Sequence, residues 1–177
     1  MLTKIMSLYI PGFLKKKKLN ELFELTAEAF KSKPPNVSGL SFDACLLKYA
    51  IFTKEQAENY LSSGQPIEKV KQMLYQGSND FGQKLRKSLF IKSDTDAIKT
   101  LKIIYRIIGI DFHYGSQGEF IINKCFFSKY YSEEVCELIS SLDEGLSAGL
   151  SDGGRLCFYK RITGGSNCCK GCFERRN

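Results

Sequence analysis

Apolar and polar side chains recur with the period of an α-helix through the first 108 residues. Four segments carry apolar residues three or four positions apart, namely residues 19–31, 41–64, 66–89 and 94–108. This spacing is typical of amphipathic helices. The second segment is predicted either as one helix or as two pieces that meet near Thr53. The pattern therefore predicts a helical N-terminal part.

Local signals refine these helices. Pro34 and Pro35 end the first one, because paired prolines cannot continue a helix. Asp94 is predicted to cap the fourth helix, since a short acidic side chain can accept the unpaired N–H groups there. Gly77 and Gly82 interrupt the surface of the third helix. Such small residues either let another backbone approach closely or simply weaken the helix.

The hydrophobic period changes from that of a helix to that of a strand after Gly109. The segment IDFHYGSQGEFIINKCFF contains two β-rich runs around a glycine turn and predicts a hairpin. Residues 133–149 return to helical spacing. The stretch RLCFYKRI, the turn TGGS and the stretch NCCKGCF then predict a second hairpin. This order predicts an α+β fold in which helices pack against an antiparallel sheet.

The segment MLTKIMSLYIPGFLKKKK is predicted to form an N-terminal arm (residues 1–18), with a single domain over residues 19–177. Its charges follow its apolar part, which is the wrong order for a secretory signal. A cytoplasmic protein is therefore predicted. The arm is expected to pack on the domain, or to contact a membrane surface or a partner.

The net charge is +7, and the block Lys15–Lys18 supplies much of it. Such a block fits either a solvated surface or an anionic membrane surface. No nucleic-acid partner is expected, because basic residues are not interleaved with exposed aromatic ones. No run of about 18 apolar residues predicts a membrane span. A small, apolar ligand and a second copy of the chain in a homodimer are the other predicted partners.

Cysteine is the main chemical signal, because six of the seven cysteines fall within residues 125–172. In a reducing compartment such clustering favours metal binding or catalysis over structural disulfides. The predicted ligands of a zinc ion or an iron–sulfur cluster are Cys125, Cys136, Cys168 and Cys172, with Cys157 and Cys169 as substitutes. Cys45 lies alone in an apolar helix and is predicted to be a small buried hydrophobe.

Strand geometry limits this metal prediction. Pairing across the TGGS turn places Cys157 opposite Cys172. In an extended strand, Cys168 and Cys172 would lie about 13 Å apart, too far for one zinc ion. Either Gly171 bends the chain so that Cys169 and Cys172 form a compact knuckle, or only one of these cysteines joins the site. An iron–sulfur cluster is wider and tolerates more spread.

Two residues are candidates for moving protons. His113 is the only histidine and lies on the same strand face as Asp111, which could orient its imidazole. A structural role is the alternative for this histidine. Asp143 lies on the helix predicted for residues 133–149, near the cysteines. His113 and Asp143 are therefore the predicted catalytic residues of an enzyme.

The C-terminal half carries a recognisable pattern: CFFSKYYSEEVCELISSLDEGLSAGLSDGGRLCFYKRITGGSNCCKGCF. Over roughly residues 75–173 the chain resembles the L-2-amino-thiazoline-4-carboxylic acid hydrolase-like family and the four-vinyl-reductase domain. It is also distantly similar to the plant beta-carotene isomerase. The resemblance implies an α+β fold that binds small, often apolar molecules, and a cysteine-rich zinc site at the final hairpin of some members. Cys168 matches the last cysteine of that pattern and Cys136 lies near an earlier one.

Three functions follow from these observations. The first is a small-molecule-binding protein with a cysteine-liganded metal or iron–sulfur site, and with a cavity between helices and sheet lined by Phe81, Leu85, Phe112 and Phe120. The second is a metal- or thiol-dependent hydrolase or isomerase. The third is a structural assembly module with inert cysteines, like the trafficking-complex relatives of the vinyl-reductase-like fold.

Overall fold

The computed structural model describes residues 10–175 and has the α+β fold that the hydrophobic pattern predicts. The predicted arm's residues 1–9 lie outside the described residues. The elements in chain order are α1 (Gly12–Ala29), α2 (Phe42–Ser62), α3 (Ile67–Ser88), α4 (Asp94–Ile107), β1 (Ile110–Tyr114), β2 (Glu119–Cys125), α5 (Glu133–Ile139), α6 (Ser141–Ser151), β3 (Gly154–Lys160) and β4 (Cys169–Arg175). Single 3₁₀ turns at Phe127–Lys129 and Ile162–Gly164 follow β2 and β3.

The four strands form one antiparallel sheet in the order β1-β2-β4-β3. Helices α4 and α6 cover one face of this sheet, where Phe112, Phe120 and Leu156 are buried. The alternate residues of β1 and β2 on the opposite face are exposed. Helix α3 packs on α6, and α1 packs on α3. We call the two sides of the sheet its covered face and its outer face.

Helices α3 and α6 approach each other closely because glycines line their contact. A Cβ added to Gly82 of α3 would lie 2.7 Å from the Leu146 carbonyl oxygen. On α6, a Cβ on Gly145 or Gly149 would overlap backbone atoms of α3. Of the two roles predicted for Gly82, close backbone approach is therefore the one that the structure shows.

Two helix boundaries differ from the prediction, at the start of α1 and at Ser140, and the two alternatives for α2 are resolved. Helix α1 begins at Gly12, so the block Lys15–Lys18 lies on a helix that continues into the domain. Helix α2 runs without a break through Thr53, whose buried hydroxyl donates to the Tyr49 carbonyl oxygen at 2.8 Å. The segment predicted as one helix over residues 133–149 is divided at Ser140 into α5 and α6.

The cap of α4 is Ser93, one residue before the predicted Asp94. The Ser93 Oγ accepts the backbone N–H of Asp96 at 3.2 Å, which satisfies one of the unpaired donors of the first turn. The Asp94 carboxylate instead accepts from Arg175 Nη2 at 2.8 Å and so ties the start of α4 to the end of β4.

Candidate functional site

The cysteines do not form a metal centre. Among residues 10–175, no group of three or more His, Cys, Asp or Glu side chains is placed to hold a metal ion. All seven cysteines are free, and the six of the predicted cluster are divided between the two faces of the sheet and the segments beside it. The leading prediction, a protein with a cysteine-liganded zinc or iron–sulfur site, is therefore wrong.

Strand β4 explains why the predicted knuckle is absent. It is a continuous strand from Cys169 to Arg175, so Gly171 does not bend the chain. Gly171 pairs with Phe120 of β2 and Phe158 of β3, and a Cβ there would overlap the Phe120 ring. A glycine is needed here because the Phe120 ring occupies the space of a side chain, not because the chain turns. Cys169 and Cys172, three positions apart, consequently project to opposite faces.

Three of the cysteines lie at one end of the covered face. Cys125 ends β2, Cys136 lies on α5, and Cys169 begins β4, where its Sγ accepts the backbone N–H of Ile162 at 3.4 Å. Burial raises the pKa of Cys125 to about 12 and also raises the pKa values of Cys136 and Cys169. These thiols are therefore protonated at neutral pH, which is unfavourable for a nucleophile.

The remaining cysteines lie elsewhere. Cys168 precedes β4 and is half-buried, whereas Cys157 and Cys172 face each other across β3 and β4, as predicted. Cys45 is buried within α2, with its Sγ 3.9 Å from the Val37 carbonyl oxygen. The prediction that Cys45 is a small buried hydrophobe is confirmed.

Asp143 is a carboxylate beneath the sheet whose pKa is raised well above its usual value. It lies on α6, and its Oδ1 accepts a hydrogen bond from the Tyr105 hydroxyl at 2.7 Å. Burial raises its pKa to about 6, although Tyr105 and the positive charge of Arg161 act in the opposite direction. The Arg161 guanidinium donates to Ser140 Oγ at 3.0 Å and lies 4.7 Å from the centre of the Phe158 ring.

We call Tyr105, Ser140, Asp143 and Arg161 the Asp143 cluster. The predicted candidate Asp143 belongs to it, but Tyr105 and Arg161 were not predicted, because they come from elements distant in sequence. The second candidate, His113, projects from the outer face of β1 with its Nε2 2.9 Å from Asp111 Oδ1. The pairing of His113 with Asp111 is as predicted. The sheet lies between His113 and the Asp143 cluster.

An apolar groove of about 240 Å³ lies between α1, α3, α4 and the start of α2. Its lining residues are Ile10, Leu14, Lys15, Lys18, Leu19, Leu22, Phe42, Phe81, Leu85, Ser88, Leu89, Thr100, Ile103, Ile104, Ile107 and Ile108. Phe81 and Leu85 line it, but the cavity that includes them was predicted between the helices and the sheet, whereas this groove lies between helices and has no strand residue in its lining. Phe112 and Phe120 do not line it; both are fully buried in the core, with ring centres 5.5 Å apart.

Among the residues that the structure describes, two lysines of α1 are the charged residues in the groove wall. The Lys15 ammonium lies 5.8 Å from the centre of the Phe42 ring, and the Lys18 ammonium lies 5.4 Å from the centre of the Phe81 ring. Lys18 is also held by Glu21 at 2.8 Å. None of the ion pairs among residues 10–175 includes Lys15.

One signal in the sequence could have located this groove. In the stretch LKIIYRIIGI, apolar residues surround most of α4. Leu101 and Tyr105 fill the core side, while Ile104 and Ile108 are only half-buried on the groove side. A helix that is apolar on two sides needs two apolar partners. That excess predicts a second buried or ligand-covered surface.

Comparison with known proteins adds no family assignment: no protein-family model matches the chain, and no curated protein sequence matches it significantly. The resemblance to vinyl-reductase-like domains therefore stays a prediction. Within residues 10–175, no helix combines the length and apolar character that crossing a membrane requires.

Proposed function

We propose that this protein binds a small amphiphile, a single hydrocarbon chain with an anionic head group, in the apolar groove. The observation that carries this proposal is the pairing of a nearly continuous apolar wall with two lysines on one side of it. Large apolar surfaces left open in a folded protein commonly mark binding sites. A vinyl-reductase-like relationship, which would imply apolar ligands, remains part of the proposal.

The wall favours hydrocarbon over a polar ligand. Apart from the two lysines, its polar side chains are Ser88 and Thr100, and both are already satisfied within the helices. The Ser88 hydroxyl donates to the Leu85 carbonyl oxygen at 3.1 Å, and the Thr100 hydroxyl donates to the Asp96 carbonyl oxygen at 2.8 Å. A polar ligand would lose its hydrogen bonds to water without replacing them here.

The volume favours a slender ligand. A groove of about 240 Å³ lies just below the range of roughly 300–1,000 Å³ that is common for drug-sized ligands. A single chain can occupy such a space, and each methylene buried contributes about 0.8 kcal/mol. A large planar cofactor would not fit without movement of α1 or α4.

The charge favours an anionic head group. Lys15 lies on the groove wall, next to the aromatic ring of Phe42, and has its charge available because it belongs to no ion pair within residues 10–175. A carboxylate or phosphate that reached this ammonium would form a charge-assisted hydrogen bond. A cytoplasmic location, which remains a prediction, would give access to free fatty acids or lysolipids.

A fluorescence titration tests this function on the full chain. We expect dansyl-labelled undecanoic acid to bind saturably, with one molecule per chain, and to be displaced by dodecanoate. Dodecyltrimethylammonium has a chain of the same length and the opposite charge, so we expect it to compete at least tenfold less well. Absence of saturable binding would refute the proposal, and equal competition by both detergents would refute the role of the lysines.

Two variants locate the binding. Ile104→Trp places a bulky ring in the groove and is expected to weaken binding of the probe at least tenfold. Ile121→Trp makes the same change at an exposed position on the outer face of the sheet and should leave binding unchanged. Circular dichroism establishes that both variants are folded. Equal affinities of Ile104→Trp and the unmodified protein would place the ligand elsewhere.

A further inference from the structure

The outer face of the last hairpin brings two thiols together. Cys157 of β3 and Cys172 of β4 are direct partners in the antiparallel ladder. Residues opposite each other in such a ladder project to the same face, with Cα atoms about 4.5–5.5 Å apart. A disulfide requires Cα atoms about 4.4–6.8 Å apart. The backbone is therefore already at a separation that a disulfide can bridge.

One carboxylate acts on both thiols. The Cys172 thiol donates to Glu174 Oε1 at 3.3 Å, and Glu174 also raises the pKa of Cys157. Glu174 therefore lies beside the Cys157–Cys172 pair on the outer face of the hairpin. Both cysteines are partly exposed, so a small reagent can reach them from solvent.

We propose that Cys157 and Cys172 form a reversible dithiol–disulfide site that reacts with small disulfides of the glutathione class. One thiol loses its proton, and its thiolate attacks a sulfur of the oxidant. This step forms a mixed disulfide and releases one oxidant-derived thiol. The second protein thiolate then attacks the mixed disulfide and releases the other. The protein loses two electrons and two protons, and the oxidant gains them as two thiols.

The surroundings of the pair set how fast it reacts. Burial and the nearby Glu174 carboxylate raise the pKa of Cys157 to about 11, and the same two causes raise the pKa of Cys172. The positive charge of Arg155 opposes this shift at Cys157. The thiolate is the reactive form. Because Glu174 raises the pKa of both thiols, it lowers the fraction of thiolate and slows oxidation of the pair.

Cys168 provides a matched control. It is also partly exposed and lies four residues from Cys172, but it precedes β4 and has no ladder partner among the described strand pairs. We expect Cys168 to form only a mixed disulfide with glutathione. Intramolecular linkage should therefore be confined to Cys157 and Cys172.

Trypsin makes the test direct, because it releases each of the two cysteines in a separate short peptide. The peptide LCFYK contains Cys157 as its single cysteine, and the peptide GCFER contains Cys172 as its single cysteine. The full chain is treated with oxidised glutathione, the remaining thiols are alkylated, and the digest is analysed by mass spectrometry. We expect a linked LCFYK–GCFER pair that dithiothreitol separates. Cys168→Ser should give the same pair, and Glu174→Gln should form it severalfold faster.

Two results would overturn the proposal. One is oxidised protein in which Cys157 and Cys172 carry glutathione or remain alkylatable, with no linked peptide. The other is linkage of Cys172 to a cysteine other than Cys157. An unchanged rate of disulfide formation in Glu174→Gln would refute the proposal that this carboxylate slows oxidation. None of these outcomes depends on the apolar groove, because the groove lies among the helices and the two thiols lie on the outer face of the sheet.

Discussion

Helix α4 separates two regions of opposite chemistry. On one side, Tyr105 donates a hydrogen bond to Asp143 within the polar cluster beneath the sheet. On the other side, Ile104 and Ile108 line the apolar groove. Tyr105 donates to Asp143 and Arg161 donates to Ser140, so these polar groups have hydrogen-bond partners, whereas no side chain of residues 10–175 fills the apolar groove. Polar groups that already have partners stabilise the fold or titrate, whereas an apolar surface that the described residues leave open is available for binding.

The largest effect on stability is expected at the contact between α3 and α6, because both the groove and the Asp143 cluster depend on it. Gly149→Leu would force a side chain into the backbone of α3 and separate α3 from α6. We expect a loss of about 3 kcal/mol or more in the free energy of unfolding, measured by urea denaturation. Probe binding and the pH response of Asp143 should both be weakened.

Gly12→Ala is the control for this change, because nothing lies within 4 Å of a Cβ added there. Its stability should differ from that of the unmodified protein by less than about 0.5 kcal/mol. A Gly149→Leu variant as stable as Gly12→Ala would show that α3 and α6 are not in close contact.

The second effect separates the two regions by pH. Burial raises the pKa of Asp143 from 3.8 to about 6, so the folded protein binds this proton more tightly than the unfolded chain. The stability that Asp143 contributes is therefore greatest below about pH 4, falls as the pH rises from about 4 to 6, and is constant above pH 6. A shift of about two pKa units corresponds to a loss of about 3 kcal/mol.

Asp143→Asn isolates this contribution. Subtracting the stability curve of the variant from that of the unmodified protein should leave a decline confined to pH 4–6. Binding of the dansyl probe at pH 7 should not change, because the groove lies on the other side of α4. Identical stability curves for the two proteins would show that Asp143 is not the perturbed acid.

The smallest effect concerns charge within the groove. Lys15→Glu should weaken binding of dodecanoate by about five- to tenfold, since an exposed ion pair contributes about 1 kcal/mol and repulsion replaces it. Lys17→Glu makes the same charge change two residues away, at an exposed position that does not line the groove. Equal losses in both variants would indicate a general effect of net charge rather than contact with Lys15.

Much of the fold could be predicted because burial imposes a period on the sequence. The helix spacing located α3, and strand alternation located both hairpins and the pairing of Cys157 with Cys172. The break at Ser140 could not be predicted, because helical spacing continues across it. Its hydroxyl accepts a hydrogen bond from Arg161, which is 21 residues later.

The candidate sites were harder to predict than the fold. The clustering of cysteines in the sequence predicted a metal site. Because β4 is a continuous strand, Cys169 and Cys172 project to opposite faces of the sheet, and no group of three or more metal-ligating side chains forms among residues 10–175. The apolar groove uses residues that resemble any core. Whether a helix surface meets a neighbouring helix or an open space depends on how the helices are arranged, which the local pattern does not contain.

The most direct test of the proposed function is an NMR titration of dodecanoate into protein labelled at the isoleucine δ1-methyl groups. We expect the methyl signals of Ile103, Ile104, Ile107 and Ile108 to shift together and saturably. Ile67 and Ile121, exposed on other surfaces, provide internal controls. Saturable shifts confined to the groove would support binding of the chain there, whereas unshifted groove signals, or equal shifts at Ile121, would contradict it.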